Sequence, residues 1–166
     1  MKQIDFRELS LNPMTLIGSE WMLITAGTEE RGYNTMTASW GHLGTIWNRP
    51  TSVCYVRPQR HTKAFMDREE YYTLSFFPGY KKELSYLGTK SGRDGDKVAA
   101  VGLTPVFEEG CTYFAEAKLV LVCRKLYRAP LQEAGFTDRE VLEKNYPDRD
   151  LHEMYVGQIV KVLVKE

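Results

Sequence analysis

The apolar positions of the chain fall into short runs, with no long amphipathic stretch between them. Trp21 to Ala26 (WMLITA), Ser52 to Arg57 (SVCYVR) and Tyr71 to Phe77 (YYTLSFF) are rich in β-branched and aromatic residues, the composition of strands. Thr104 to Phe107 adds a shorter strand. Ala117 to Leu126 (AKLVLVCRKL) and Tyr155 to Val164 (YVGQIVKVLV) are long enough to lie side by side in one curved sheet. Helical signals are brief. Thr62 is placed to cap Lys63 to Arg68, and Tyr80 to Leu87 spaces Leu84 and Leu87 three apart with Gly88 as a stop. Asp96 to Val101 and Asp138 to Lys144 each carry an acidic residue at the start, where it suits the helix dipole. A parallel sheet needs longer crossover helices than these. The pattern therefore predicts a mainly β fold with short helices, an antiparallel barrel with residues 1–166 as one domain.

Composition narrows the class. A chain of 166 residues, 43% hydrophobic and 27% charged, buries enough surface to fold without a metal or disulfide staple. Its 22 basic and 22 acidic residues cancel, so it lacks the basic field that nucleic-acid binding uses. No apolar run approaches the roughly 20 residues of a membrane span, and the opening MKQIDFRELSLNP does not read as a signal peptide. Cys54, Cys111 and Cys123 are odd in number and widely spaced, which suits free thiols in a reducing cytoplasm.

Three segments carry candidate chemistry. The first is Gly32 to Gly41, containing Asn34, Thr35, Met36, Thr37, Ala38, Ser39 and Trp40. An extended backbone of this kind can read the edge of a flat heteroaromatic ring, with Met36 or Trp40 against its face. The same residues also suit a plain hairpin strand after the turn at Glu29 to Gly32. In the second, Arg57-Pro58-Gln59-Arg60-His61-Thr62-Lys63, a strand ends and a helix begins amid positive charge. Free N–H groups in a first helical turn, with Arg57, Arg60 and His61 beside them, suit a phosphate; the plain alternative is a capped surface helix. The third, Lys90 to Lys97, is a polar loop that could close over a charged tail with Lys97 as counter-ion.

Other chemistries lack their signatures. The chain has no G-x-G-x-x-G, no P-loop and no G-x-S-x-G elbow. His42, His61 and His152 form no ligand spacing with one another or with the cysteines, so no metal site is expected. Glu108-Glu109 and Asp148-Arg149-Asp150 read as solvated turns.

Taken together, these segments resemble the flavin-reductase-like family of FMN-binding split barrels, particularly its flavoredoxin-type members. The likeness rests on Asn34 to Trp40, Trp47-Asn48-Arg49-Pro50, Arg57 to Thr62, Tyr72 to Phe77, the Ser91 to Lys97 loop and His152 to Ile159, in that order over nearly the whole chain. The resemblance implies a homodimer with non-covalent FMN near the subunit interface. It places Asn34 to Trp40 along the isoalloxazine and ribityl chain, Arg60, His61 and Thr62 at the phosphate, and Lys97 closing from the loop. His61 stands where many relatives carry tyrosine, and Gln158 where an acidic residue is common.

Flavin chemistry is the cofactor's own, so the absence of a catalytic dyad counts little against an enzyme. Two functions follow as expectations: an NAD(P)H-dependent flavin reductase or electron-transfer flavoprotein with a redox partner, and a non-catalytic FMN-binding module. Long apolar strands with few helices to cover them favour a homodimer.

Overall fold

The computed structural model describes residues 1–108 and 110–165. The strands are β1 (Lys2–Ile4), β2 (Met22–Thr28), β3 (Gly32–Ala38), β4 (Gly41–Ile46), β5 (Arg49–Val56), β6 (Tyr71–Phe76), β7 (Pro105–Glu108), β8 (Cys111–Phe114), β9 (Leu119–Pro130) and β10 (Glu153–Val164). The helices are α1 (Thr62–Arg68), α2 (Lys81–Thr89), α3 (Lys97–Ala100) and α4 (Arg139–Asn145), and a wide helical turn spans Met14–Ser19.

The main sheet runs β3-β2-β6-β9-β10-β5-β4, with β1 also on β10, and every pairing is antiparallel. Its two edge strands, β3 and β4, are joined only through Ser39 and Trp40. Edges so tied in sequence force the sheet to curl into a barrel, and the missing β3–β4 ladder leaves a seam there. The expected pairing of the two last long strands holds, with β9 and β10 paired from Glu153↔Pro130 to Val164↔Leu119 through two register shifts.

The unbroken apolar runs are explained by burial on both faces. On β2, Met22, Ile24 and Ala26 join the barrel interior with Tyr72, Leu74, Leu121 and Tyr155. Leu23 faces outward under a second cluster with Leu84, Leu87, Val98, Phe114 and Val120, covered by α2, α3 and the β7–β8 hairpin. Inside the barrel Tyr72 Oη and Ser52 Oγ lie 2.8 Å apart. Gly157 lets β10 pass this pair, beside a register shift that leaves Leu126 of β9 unpaired; an added Cβ would lie 2.4 Å from Tyr72 Oη.

The acidic residues expected at the starts of α3 and α4 stand one position earlier, where Asp96 and Asp138 cap the helices through their carboxylates. Two helix signals read differently. Helix α2 runs through Gly88 to Thr89, because Gly88 lets it pack on β3: a Cβ there would meet Thr37 Cβ at 3.1 Å. Thr62 is the first residue of α1, not its cap; His61 holds the cap position without a side-chain bond. β4 escaped the pattern because most of its side chains are exposed and show no alternation. Glu108 is ion-paired with Lys161 and accepts from Tyr113 Oη, so it is not an idle turn residue, while Glu109 lies outside the described residues. No described helix is long and apolar enough to cross a membrane.

Candidate functional site

The barrel seam opens into three adjoining hollows. The first, about 390 Å³, is enclosed by Asn34 and Met36 of β3, the 57–61 turn, Thr62, the loop after α2 and Lys97 of α3. Its charged or chargeable lining is entirely cationic: Arg57, Arg60, His61, Lys90, Arg93 and Lys97. A groove of about 220 Å³ continues from the shared residue Thr89 past Thr37, Ala38 and Ser39, with Trp21 and Leu84 opposite. From the shared Ser39 a larger apolar hollow of about 580 Å³ follows, lined by Met14, Ile17, Trp40, Leu43 and Tyr55 among others.

The charged end is built by α2. The carbonyls at a helix C-terminus carry partial negative charge and attract cations. Arg60 donates to the Gly88 carbonyl (2.7 Å), and Lys97 Nζ donates to the carbonyls of Leu87 (2.9 Å) and Lys90 (3.0 Å). Lys97 is only 7% exposed, and burial, with Arg60 nearby, pushes its amine down to about 8. An anion brought beside it would reverse that shift. Asn34 Nδ2 donates to Thr62 Oγ1 at 2.8 Å, leaving the threonine hydroxyl its own proton to donate. Gly92 presses on this pair: an added Cβ would lie 2.1 Å from Asn34 Oδ1.

The twelve sequence-predicted residues are not all brought together. Asn34, Met36, Arg57, Arg60, His61, Thr62 and Lys97 meet in the cationic hollow; Thr37, Ala38 and Ser39 line the groove; Trp40 stands in the apolar hollow. Thr35 departs from the expectation. It is fully buried on the face of β3 opposite Met36, across the ladder from Thr25, where its hydroxyl meets Thr25 Oγ1 at 2.8 Å and donates to the Ile24 carbonyl. The Thr37 hydroxyl is likewise spent, on the Leu84 carbonyl. Arg57 lines the hollow, but its guanidinium is ion-paired with Asp150 and donates to the Asn145 carbonyl. That pairing also removes Asp150 from the solvated-turn reading. Gln59, Ser91, Gly92 and Arg93 were not singled out from sequence, although the Lys90 to Lys97 loop signalled three of them.

At the apolar end, Trp40 is 44% exposed and its ring centroid lies 5.1 Å from that of His152. His152 Nδ1 is 2.8 Å from Tyr146 Oη, and burial, with Arg57 nearby, pushes the imidazole down to about 4. All three cysteines are buried, and desolvation raises every thiol, Cys111 to about 11 and Cys123 to about 12. Thiols so raised are unreactive near neutrality.

Residues 14–166 match the family model for the flavin reductase like domain. The chain belongs to that family. Solved structures agree on the fold. Flavoredoxin from Methanosarcina acetivorans is 20% identical, with a TM-score of 0.67 over 89% of this chain and 69% of that one. A split barrel domain protein from Shewanella frigidimarina is 18% identical, with a TM-score of 0.68 over 98% and 76%. An FMN-binding protein from Thermus thermophilus is 21% identical, with a TM-score of 0.66 over 87% and 71%. The barrel with its open seam is thus the split β-barrel of this flavin-reductase-like family. No curated protein matches the chain.

Proposed function

We propose that this chain is a redox flavoprotein that binds one FMN along the seam, its phosphate in the cationic hollow and its ring toward Trp40. The observation that carries the reading is the order of the three hollows. A cationic pocket without a carboxylate, a narrow groove and a broad apolar recess follow one another along β3. FMN has the same order: phosphate, ribityl chain, flat ring. Thr62 and the α2-bound pair Arg60 and Lys97 hold the phosphate. Asn34 fixes Thr62, and Gly92 keeps the loop close enough to cover both. The backbone of Thr37 to Ser39 reads the polar parts of the flavin, while Met36 and Trp40 pack on apolar ones.

Bound flavin supplies hydride and electron transfer at its own ring. The protein's part is to hold that ring at the seam and set its polarity, which requires no nucleophile. Residues 1–166 act as one domain, with NAD(P)H or a redox partner protein as the electron source. A second copy of the chain completes the site. Met14 (75% exposed) and Trp40 leave the apolar hollow open, and such a patch is normally covered.

The test is titration of purified protein with FMN, followed by anaerobic addition of NADH or NADPH. One FMN per chain and bleaching of the oxidised flavin band by a nucleotide are expected. Failure to bind FMN contradicts the reading. Binding without reduction by either nucleotide moves the function to an electron carrier or a flavin store.

A further inference from the structure

Among the chargeable groups of the first hollow, His61 is the one imidazole, a side chain whose charge changes near neutral pH. Its imidazole packs edge-on against Phe65 (5.2 Å between centroids) and lies beside Gly92. Neither ring nitrogen has a hydrogen-bond partner among the described residues, although the ring lines a polar cavity. The charged groups that surround it come from every neighbouring element. Arg60 precedes it in the turn, Lys90 and Arg93 stand on the loop, and Lys97 rises from α3. Of the nearby acids, Asp150 is engaged by Arg57 and Gln59, and Asp96 caps α3. Lys63, next on α1, is paired with Asp67 and Glu153. His61 therefore faces cations with no anion to balance them.

We infer that His61 binds the phosphate of the flavin as an imidazolium, so that each cofactor enters the hollow together with one proton. This rests on the reading of the hollow as the phosphate site. Among the protein's own groups, burial, then Arg93 and Lys97, hold the imidazole below its ordinary pKa, so it is neutral near pH 7.5. A phosphate monoester, nearly a dianion at that pH, reverses the sign of the local field and favours the protonated ring. The unpartnered ring nitrogens then have an acceptor, and the charge-assisted bond that forms is of the stronger kind. A tyrosine at this position could donate a hydrogen bond but could not take up a proton.

The experiment is calorimetric titration of the full chain with FMN at pH 7.5, in phosphate-free buffers of different ionisation enthalpy. The dependence of observed heat on buffer ionisation enthalpy counts the protons taken up. Wild type is expected to take up more than half a proton per FMN and none with riboflavin, which lacks the phosphate. His61→Gln should still bind FMN, about tenfold more weakly, and keep at most the quarter proton or so that Lys97, with its amine at about 8, can accept. FMN binding with no proton uptake in wild type overturns the inference while leaving the phosphate site in place. Equal uptake by wild type and His61→Gln also overturns it. Binding of FMN no tighter than riboflavin would instead overturn the phosphate site, and the inference with it.

Discussion

Replacing Arg60 by alanine separates phosphate recognition from ring recognition. The guanidinium holds one structural bond, to the Gly88 carbonyl, and its remaining donors are free for the cavity. It carries no ion pair among the described residues, so its removal strands no buried carboxylate. A charge-assisted hydrogen bond contributes roughly 1.5–3 kcal/mol, which corresponds to about 10- to 150-fold in affinity. Compensation from Lys97 is limited at pH 7, because an amine at about 8 is already mostly charged there. FMN should therefore weaken by that factor in Arg60→Ala, and riboflavin by less than about threefold. Fold stability should change by about 1 kcal/mol or less, as for an exposed side chain with one bond. Quenching of flavin fluorescence, titrated with each ligand at pH 7, reads both affinities. Equal losses for the two flavins, or no loss for FMN, would refute the assignment of Arg60 to the phosphate.

Three further outcomes follow from the structure. His152, held near 4 while the unfolded imidazole titrates at about 6.5, is bound by fewer protons in the folded state between those values. Its contribution is complete above pH 6.5 and lost as pH falls toward 4, by up to roughly 3 kcal/mol. Urea midpoints should fall less over that range in His152→Gln than in wild type, and parallel curves would count against it. Gly157→Ala drives a Cβ into Tyr72 Oη and should cost about 1–3 kcal/mol in urea unfolding; an unchanged midpoint would mean that β10 or Tyr72 shifts freely there. The three buried, high-pKa thiols should resist a disulfide reagent in native protein and react only after denaturation. Rapid native labelling would contradict that.

What could be read in the sequence was whatever local pattern controls. Both long strands, the β2–β3 hairpin and the acidic starts of α3 and α4 follow from composition and spacing. The segments that line the cationic hollow were legible too, since Asn34, Arg60, His61, Thr62 and Lys97 do converge there. Side-chain commitments made over long sequence distances were not. Arg57 finds Asp150, 93 residues away, and nothing near Arg57 signals it. Thr62 looked like a cap because helix starts favour threonine; its hydroxyl is taken by Asn34 of β3 instead. Thr35 sits inside a plausible binding run, but its buried hydroxyl is taken up by Thr25 on the neighbouring strand and by the Ile24 carbonyl, partners that the local sequence does not signal. Pro50 near the start of β5 disguised the length of that strand, because proline is tolerated at an edge or strand beginning and not within a central ladder.

The most direct test is a crystal structure of the protein soaked or co-crystallised with FMN. The account predicts the phosphate within hydrogen-bonding distance of Arg60, Thr62 and Lys97, and the ring beyond Thr37 to Ser39 toward Trp40. A phosphate bound outside the hollow between α1 and the Lys90 to Lys97 loop, or a ring on the far side of the barrel, would contradict it.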